Sequence, residues 1–337
     1  MTTTYSIAVI GAGQIAHTHL RALQSSERAR PVAIADVLEE RAQQLGSEYG
    51  LLPYTDYKQM VLEQKPDLVI ITLPHFLHKE AAVWCAEQGC HMLLEKPMAL
   101  NVAECMEIND AAERNRVVVA VGHMQQFFAE HIAAKSIIAS GQLGELVMVN
   151  DKRWGNYFQA SRPAWFLEKA KSGGGVVINL GSHSIDRIQW LTDSRIAAVR
   201  ASMTYRSSTD VEGSAALFME TTSGVPVTVS LSGYKGVPAN ETELLFTDGA
   251  LRIGIRRGLS IGTDGTYTPV TVPPSADAFV AQLESVLDTV EYGKPLSTSG
   301  AYGQSVVAVV EAAYRSHETG TEQQVSQIQE LLRANRK

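Results

Sequence analysis

Ile7-Ala8-Val9-Ile10-Gly11-Ala12-Gly13-Gln14-Ile15-Ala16 decides the fold of this chain. Four apolar residues run into Gly-x-Gly-x-x-Ala and then into a pattern of helical period. That is a strand, a tight turn and a helix start. At such a turn the backbone approaches a pyrophosphate without side chains in the way, and the free N–H groups of the helix point at the anion. Gly11, Gly13, Gln14 and Ile15 are the residues expected to make that approach. The stretch predicts an N-terminal dinucleotide-binding domain.

Downstream the pattern repeats. Apolar runs at 7–10, 32–36, 68–73, 92–94 and 117–121 read as strands, and helical patterns cover 14–24, 38–48, 57–63, 79–88 and 102–114. Short apolar runs separated by helices imply a buried parallel sheet of βαβ units, a Rossmann sheet. Ligands on such a sheet sit at the carboxyl ends of the strands, so the residues just after each strand carry the chemistry. After about Gly122 the character changes. A helix is expected over 128–140, then an irregular aromatic-rich stretch, then Gly173-Gly174-Gly175 and a helix to about Leu191. Runs at 199–205, 215–220, 225–231, 243–246 and 251–255, punctuated by Gly, Ser and Asp-Gly, suggest an antiparallel sheet. Two helices are expected over 278–290 and 301–316. The expected fold is α/β, with residues 1–122 as the nucleotide domain and 123–337 as an α+β domain for substrate binding and oligomerisation.

Composition excludes several classes. The chain has 337 residues, 45% hydrophobic and 19% charged, with a net charge of −7. Those values suit a globular protein of about two domains. With no basic block, nucleic acid is not an expected partner. No apolar run approaches a membrane span. The first strand begins close to Met1, so no secretory segment is expected, and the three cysteines Cys85, Cys90 and Cys105 read as reduced, buried thiols. A cytoplasmic location follows as the expectation, and no metal-ligand spacing is present.

Asp36 ends the second strand a little over twenty residues after the glycines. A carboxylate there accepts hydrogen bonds from the adenosine ribose hydroxyls and repels a 2′-phosphate, so NAD is favoured over NADP. Thr72, Pro74, His75 and His78 follow the third strand and are expected along the cofactor edge. Glu95-Lys96-Pro97 follows the fourth. Lys96 on that rim can stabilise negative charge on a substrate oxygen, and Glu95 is expected near the cofactor. In the segment from Gly173 to Arg187, Asn179, His183 and Asp186 share one helical face, with apolar residues behind. His183 is suited to take a hydroxyl proton, with Asp186 holding its ring. Trp154, Tyr157 and Trp165 are expected as sugar-stacking platforms.

Taken together, Gly11–Ala16, Thr72-Leu73-Pro74-His75, Glu95-Lys96-Pro97, the Gly173–Asp186 segment and the Gly293-Lys294-Pro295 turn with Ala312, Tyr314 and Ser316 resemble the Gfo/Idh/MocA oxidoreductases over nearly the whole length. The resemblance implies that Lys96 and His183 are the catalytic pair. It implies a secondary hydroxyl of a sugar or cyclitol as substrate, and an open second sheet that packs against a partner subunit in a homodimer or homotetramer. Two departures stand out. Asn179 replaces the family's usual Asp, as in a subgroup that includes nucleotide-sugar 3-dehydrogenases. His123-Met124-Gln125-Gln126-Phe127 replaces an Asn/Arg-rich segment. The expected function is NAD-dependent hydride transfer with a sugar, sugar derivative or cyclitol, with Lys96, Asn179 and His183 touching substrate. The alternatives are a glycoside-cleaving enzyme that oxidises its sugar only transiently, and a non-catalytic NAD-binding regulator.

Overall fold

The computed structural model describes residues 3–206, 209–254 and 257–328. The chain divides into two compact units, one of residues 1–124 with 276–304, the other of 125–275 with 305–337.

The first unit opens with β1 (Tyr5–Ile10), α1 (Gln14–Gln24), β2 (Ala29–Ala35), α2 (Glu39–Tyr49), β3 (Leu52–Tyr54) and α3 (Tyr57–Gln64). It continues with β4 (Leu68–Ile71), α4 (His78–Glu87), β5 (His91–Leu94), α5 (Val102–Asn115) and β6 (Val119–Val121). The six strands are parallel, in the order β3-β2-β1-β4-β5-β6. This is the doubly wound order, whose crevice opens between β1 and β4. Central strands such as β4, Leu-Val-Ile-Ile, are buried on both faces, which is why they read as unbroken apolar runs. The added strand is β3. It is short, largely exposed and carries Pro53, which lacks an N–H, so only an edge tolerates it.

The second unit begins with α6 (Ala129–Ala139), β7 (Leu146–Trp154) and the single turn α7 (Lys169–Ser172). A π-helical turn at Val177–Gly181 leads into α8 (Ser182–Thr192). Then come β8 (Ile196–Thr204), β9 (Ser214–Thr221), β10 (Pro226–Ser232), β11 (Ala239–Phe246), β12 (Ala250–Gly254), β13 (Gly258–Thr263) and β14 (Thr266–Pro269). Ile255, the expected end of one strand, lies outside the described residues. The chain goes on through α9 (Ala278–Tyr292), α10 (Gly300–Thr319) and β15 (Gln323–Gln324). The nine-stranded sheet has the order β14-β13-β12-β11-β7-β10-β9-β8-β15 and is antiparallel except where β7 meets β10. Its strands alternate: Leu217, Met219, Val227 and Val229 are buried, while Ala216, Phe218, Thr228 and Ser230 are exposed on the other face.

One boundary differs from the sequence expectation. Residues 123–337 were expected to form the second domain throughout, but α9 belongs to the first unit. Leu283, Val286 and Leu287 join the core of Ile7, Val9, Ala16, Leu20 and Leu93. Arg28 clasps the same helix through Glu284, Asp288 and Glu291 at 2.6–2.9 Å. Helical periodicity announces such a helix without saying which core receives its apolar stripe.

Candidate active site

In the first unit the parallel register sets Ala35, Ile10, Ile71, Leu94 and Val121 in one row across β2, β1, β4, β5 and β6. Asp36, Gly11, Thr72, Glu95 and Gly122 therefore emerge in line at the carboxyl end of the sheet. Gly11 takes φ +101°, and a Cβ there would meet the Thr72 carbonyl oxygen at 2.8 Å. Thr72 Oγ1 donates to the Gly11 carbonyl at 2.8 Å, locking the turn. Gly13 ends the turn as the N-cap of α1, where no side chain caps the helix. A Cβ on Gly13 would meet nothing within 4 Å. That open space above uncapped helical N–H groups, beside Gln14 and Ile15, fits a dinucleotide pyrophosphate. Asp36 accepts from Ala12 N–H at 2.8 Å and from Leu38 N–H at 2.9 Å, which fixes its carboxylate beside the Gly11 turn.

The loops after β4 and β5 are tied together. His78 is fully buried, with Nε2 at 2.8 Å from the Leu73 carbonyl and Nδ1 at 2.9 Å from the Pro97 carbonyl. Burial holds its pKa below the usual histidine value, so the ring is neutral and donates to one carbonyl at a time. His75 is buried beside it, ring centroids 5.9 Å apart. Pro74 precedes both as the N-cap of the intervening turn. Glu95 is spent internally: Oε1 lies 2.9 Å from His19 Nε2, and Oε2 accepts from Lys96 N–H at 3.1 Å. Burial pushes its carboxyl up, but the His19 hydrogen bond and the neighbouring charges outweigh this and hold it below the usual range. Glu95 thus braces the backbone of Lys96. Lys96 is half-buried and precedes a cis peptide bond to Pro97.

In the second unit the π turn carries Asn179, which is buried, and α8 carries His183, which is half-buried. Two glutamines anchor this helix. Gln125 Nε2 donates to the His183 carbonyl at 2.9 Å, and Gln126 Nε2 donates to Asp186 Oδ1 at 2.8 Å. Arg153 donates to Gln125 Oε1 at 2.9 Å. Behind them, Arg187 pairs with Asp151 at 2.5 Å, both side chains almost wholly buried, and Thr242 donates to the same carboxylate oxygen at 2.7 Å. Burial and the Arg187 charge push Arg153 down to about 9 and His131 down to about 4. Removing one member of a buried pair strands the other charge. Asp151→Ala is therefore expected to cost about 3–5 kcal/mol of stability, read from the denaturant midpoint. A loss under about 1 kcal/mol would show the pair to be dispensable.

Two comparisons with known proteins decide the family. Residues 5–123 match the oxidoreductase family with an NAD-binding Rossmann fold, and residues 131–252 match the Gfo/Idh/MocA C-terminal domain. The chain belongs to the Gfo/Idh/MocA oxidoreductases. It is 28% identical over 331 residues to an inositol 2-dehydrogenase of Streptomyces avermitilis, covering 95% of this chain and 94% of that one. It is 29% identical over 188 residues to a 2,7-anhydro-N-acetylneuraminate hydratase of Mediterraneibacter gnavus, covering 56% of this chain and 49% of that one. The aldose-aldose oxidoreductase of Caulobacter crescentus, solved with glycerol, shares its fold at a TM-score of 0.88 and 23% identity, covering 95% of this chain and 99% of that one.

Against this family background, the three aromatic residues expected to stack on substrate part company. On β7, residues 149, 151 and 153 point toward α8, where Asp151 meets Arg187, while Trp154 points the other way. Its Nε1 donates to Ser230 Oγ at 3.0 Å on the exposed sheet face, away from His183. Tyr157 is 1% exposed and its hydroxyl donates to the Phe166 carbonyl at 3.2 Å, so it packs the interior. Trp165 is half-buried and stacks on Phe166, with centroids 3.7 Å apart. The expected thiols are all buried, and burial pushes Cys90 up to about 11. Among the described residues no cluster could hold a metal ion, and no helix is long and apolar enough to cross a membrane. The sequence singled out the segment holding Gln125 and Gln126 but not their anchoring role, nor Arg153, because each acts through contacts distant in the chain.

Proposed function

We propose that this protein is an NAD-dependent dehydrogenase acting on a secondary hydroxyl of a sugar, sugar derivative or cyclitol. The observation that carries this reading is the line of strand ends, which sets the Gly11 turn, Asp36 and the Glu95-braced Lys96 along one rim. NAD, when bound, supplies the hydride acceptor. Lys96 donates a charge-assisted hydrogen bond to the substrate oxygen and stabilises its developing negative charge. The His183 imidazole takes the hydroxyl proton as the alcohol becomes a ketone, and returns it in the reverse direction. Asn179 orients the same oxygen without contributing charge. The near full-length inositol 2-dehydrogenase relative favours a polyol substrate. A panel of cyclitols, sugars and glycosides assayed for NADH absorbance tests the proposal, and no absorbance change with any of them would sink it.

NAD preference rests on Asp36 followed by the exposed apolar residues Val37 and Leu38, which offer no cation to a 2′-phosphate. Asp36→Ala is expected to narrow the NAD/NADP ratio of kcat/KM by about tenfold or more, the worth of one charged hydrogen bond. An unchanged ratio would remove Asp36 from the selection. The hydratase relative favours a second reading, a reaction with no net NADH. Under it, product would form from a glycoside while absorbance stayed flat. The exposed face of the nine-stranded sheet, with Trp154 and Phe218, is the surface through which we expect a homodimer or homotetramer to form.

A further inference from the structure

The proposed chemistry uses Asn179 and His183 but gives no task to the three glycines before them. A carboxylate supplies one. Glu212, at the approach to β9, is 1% exposed. Its Oε2 accepts from Gly175 N–H at 2.9 Å, and its Oε1 accepts from Val177 N–H at 2.8 Å and from the Tyr314 hydroxyl of α10 at 2.8 Å. A carboxylate offers about four lone-pair positions, and these three donors fill most of them. Burial outweighs the donors and holds the carboxyl above its usual range. The glycines make the approach possible. A Cβ on Gly174 would collide with the Tyr314 hydroxyl, and one on Gly175 with the Glu212 carbonyl. Gly174 also takes φ +149°. The Glu212 carbonyl in turn accepts from Val176 N–H at 3.2 Å. Residues 175–177 are thus gripped along their backbone where the π turn begins. The Asn179 N–H reaches back to the Gly175 carbonyl at 3.1 Å.

We propose that Glu212 is a positioning residue which, with Tyr314, pins the start of the π turn and so sets where Asn179 and His183 stand. The proposal rests on the dehydrogenase reading above. It explains why this helix is launched from glycine: the requirement is room for the clamp. An acid or base displaced by about 1 Å loses on the order of 10²-fold in rate.

The test uses two variants of the full chain. Glu212→Gln sets an amide NH₂ against a backbone N–H, and Tyr314→Phe removes one donor while keeping the ring. Hydrogen exchange across 173–183 is expected to quicken in both. With the alcohol turned over fastest in the panel, kcat is expected to fall on the order of 10²-fold for Glu212→Gln and about tenfold for Tyr314→Phe. NADH affinity, read by its fluorescence, is expected to stay at the unmutated value. A purely structural residue would lower the melting temperature and leave kcat per folded molecule unchanged, and that result overturns the proposal. If Glu212→Gln does not fold, the kcat of Tyr314→Phe decides. If the unmutated chain oxidises no alcohol, the dehydrogenase reading fails by itself. Exchange at 173–183 then still judges the clamp: quickened exchange upholds it and unchanged exchange overturns it.

Discussion

Replacing His183 with alanine is expected to lower kcat by about 10²–10⁴-fold, the range a positioned acid or base contributes. NADH is expected still to bind to this variant, because the Gly11 turn and Asp36 belong to the other unit. The fold should tolerate the change. His183 is half-buried, and Gln125 holds its carbonyl, which the truncation leaves in place. Lys96→Ala is the companion experiment. It removes the group proposed to stabilise oxygen charge, for an expected loss of about 10²–10³-fold in kcat. The Lys96 N–H would still donate to Glu95. Steady-state kinetics alongside NADH fluorescence titration separates the roles. Turnover surviving in either variant would remove that residue from the chemistry. NADH binding lost in either would make it a structural or cofactor residue.

The second large effect comes from the glycine turn, where two neighbouring positions should behave differently. Gly11→Ala forces a side chain into φ +101° and drives its Cβ to 2.8 Å from the Thr72 carbonyl. The left-handed backbone alone costs about 1–2 kcal/mol, and relieving the clash pushes β1 and β4 apart at their ends. Gly11→Ala is expected to lower both the melting temperature and NAD affinity, the latter to near background. Gly13→Ala has open space for its Cβ. The fold should stay intact, but the methyl occupies the room kept for the pyrophosphate, so NAD affinity alone should drop by at least about tenfold, or 1.4 kcal/mol. Calorimetry on both variants checks the pair. Equal melting losses at the two positions, or an unchanged NAD affinity in Gly13→Ala, would overturn this distinction.

Much of this was legible in the sequence because it rests on local rules. The β1 turn, the row of strand ends and the helix bearing His183 each announce themselves within about fifteen residues. β7 did not, although it lies mid-sheet. Its inward positions include Asp151 and Arg153, so the alternation of apolar and polar residues that marks a strand is absent. The π turn was equally hidden, since it depends on Glu212 and Tyr314, far away in the chain. The separate placements of Trp154 and Tyr157 were not legible, because aromatic content says nothing about which way a ring points. Glu95 looked like a cofactor residue by position, while its partner His19 comes from a helix much earlier in the sequence.

The return of residues 278–292 to the first unit bears on how this protein is made. As the ribosome releases the chain, every strand of the nucleotide-binding sheet is free well before the helix that seals its core. Until then Leu20, Leu23 and Leu93 lack the cover of Leu283, Val286 and Leu287. A fragment cut after Val121 would bear a greasy open flank and invite aggregation. Grafting this nucleotide module elsewhere calls for both pieces of chain, expressed together or joined by a new linker.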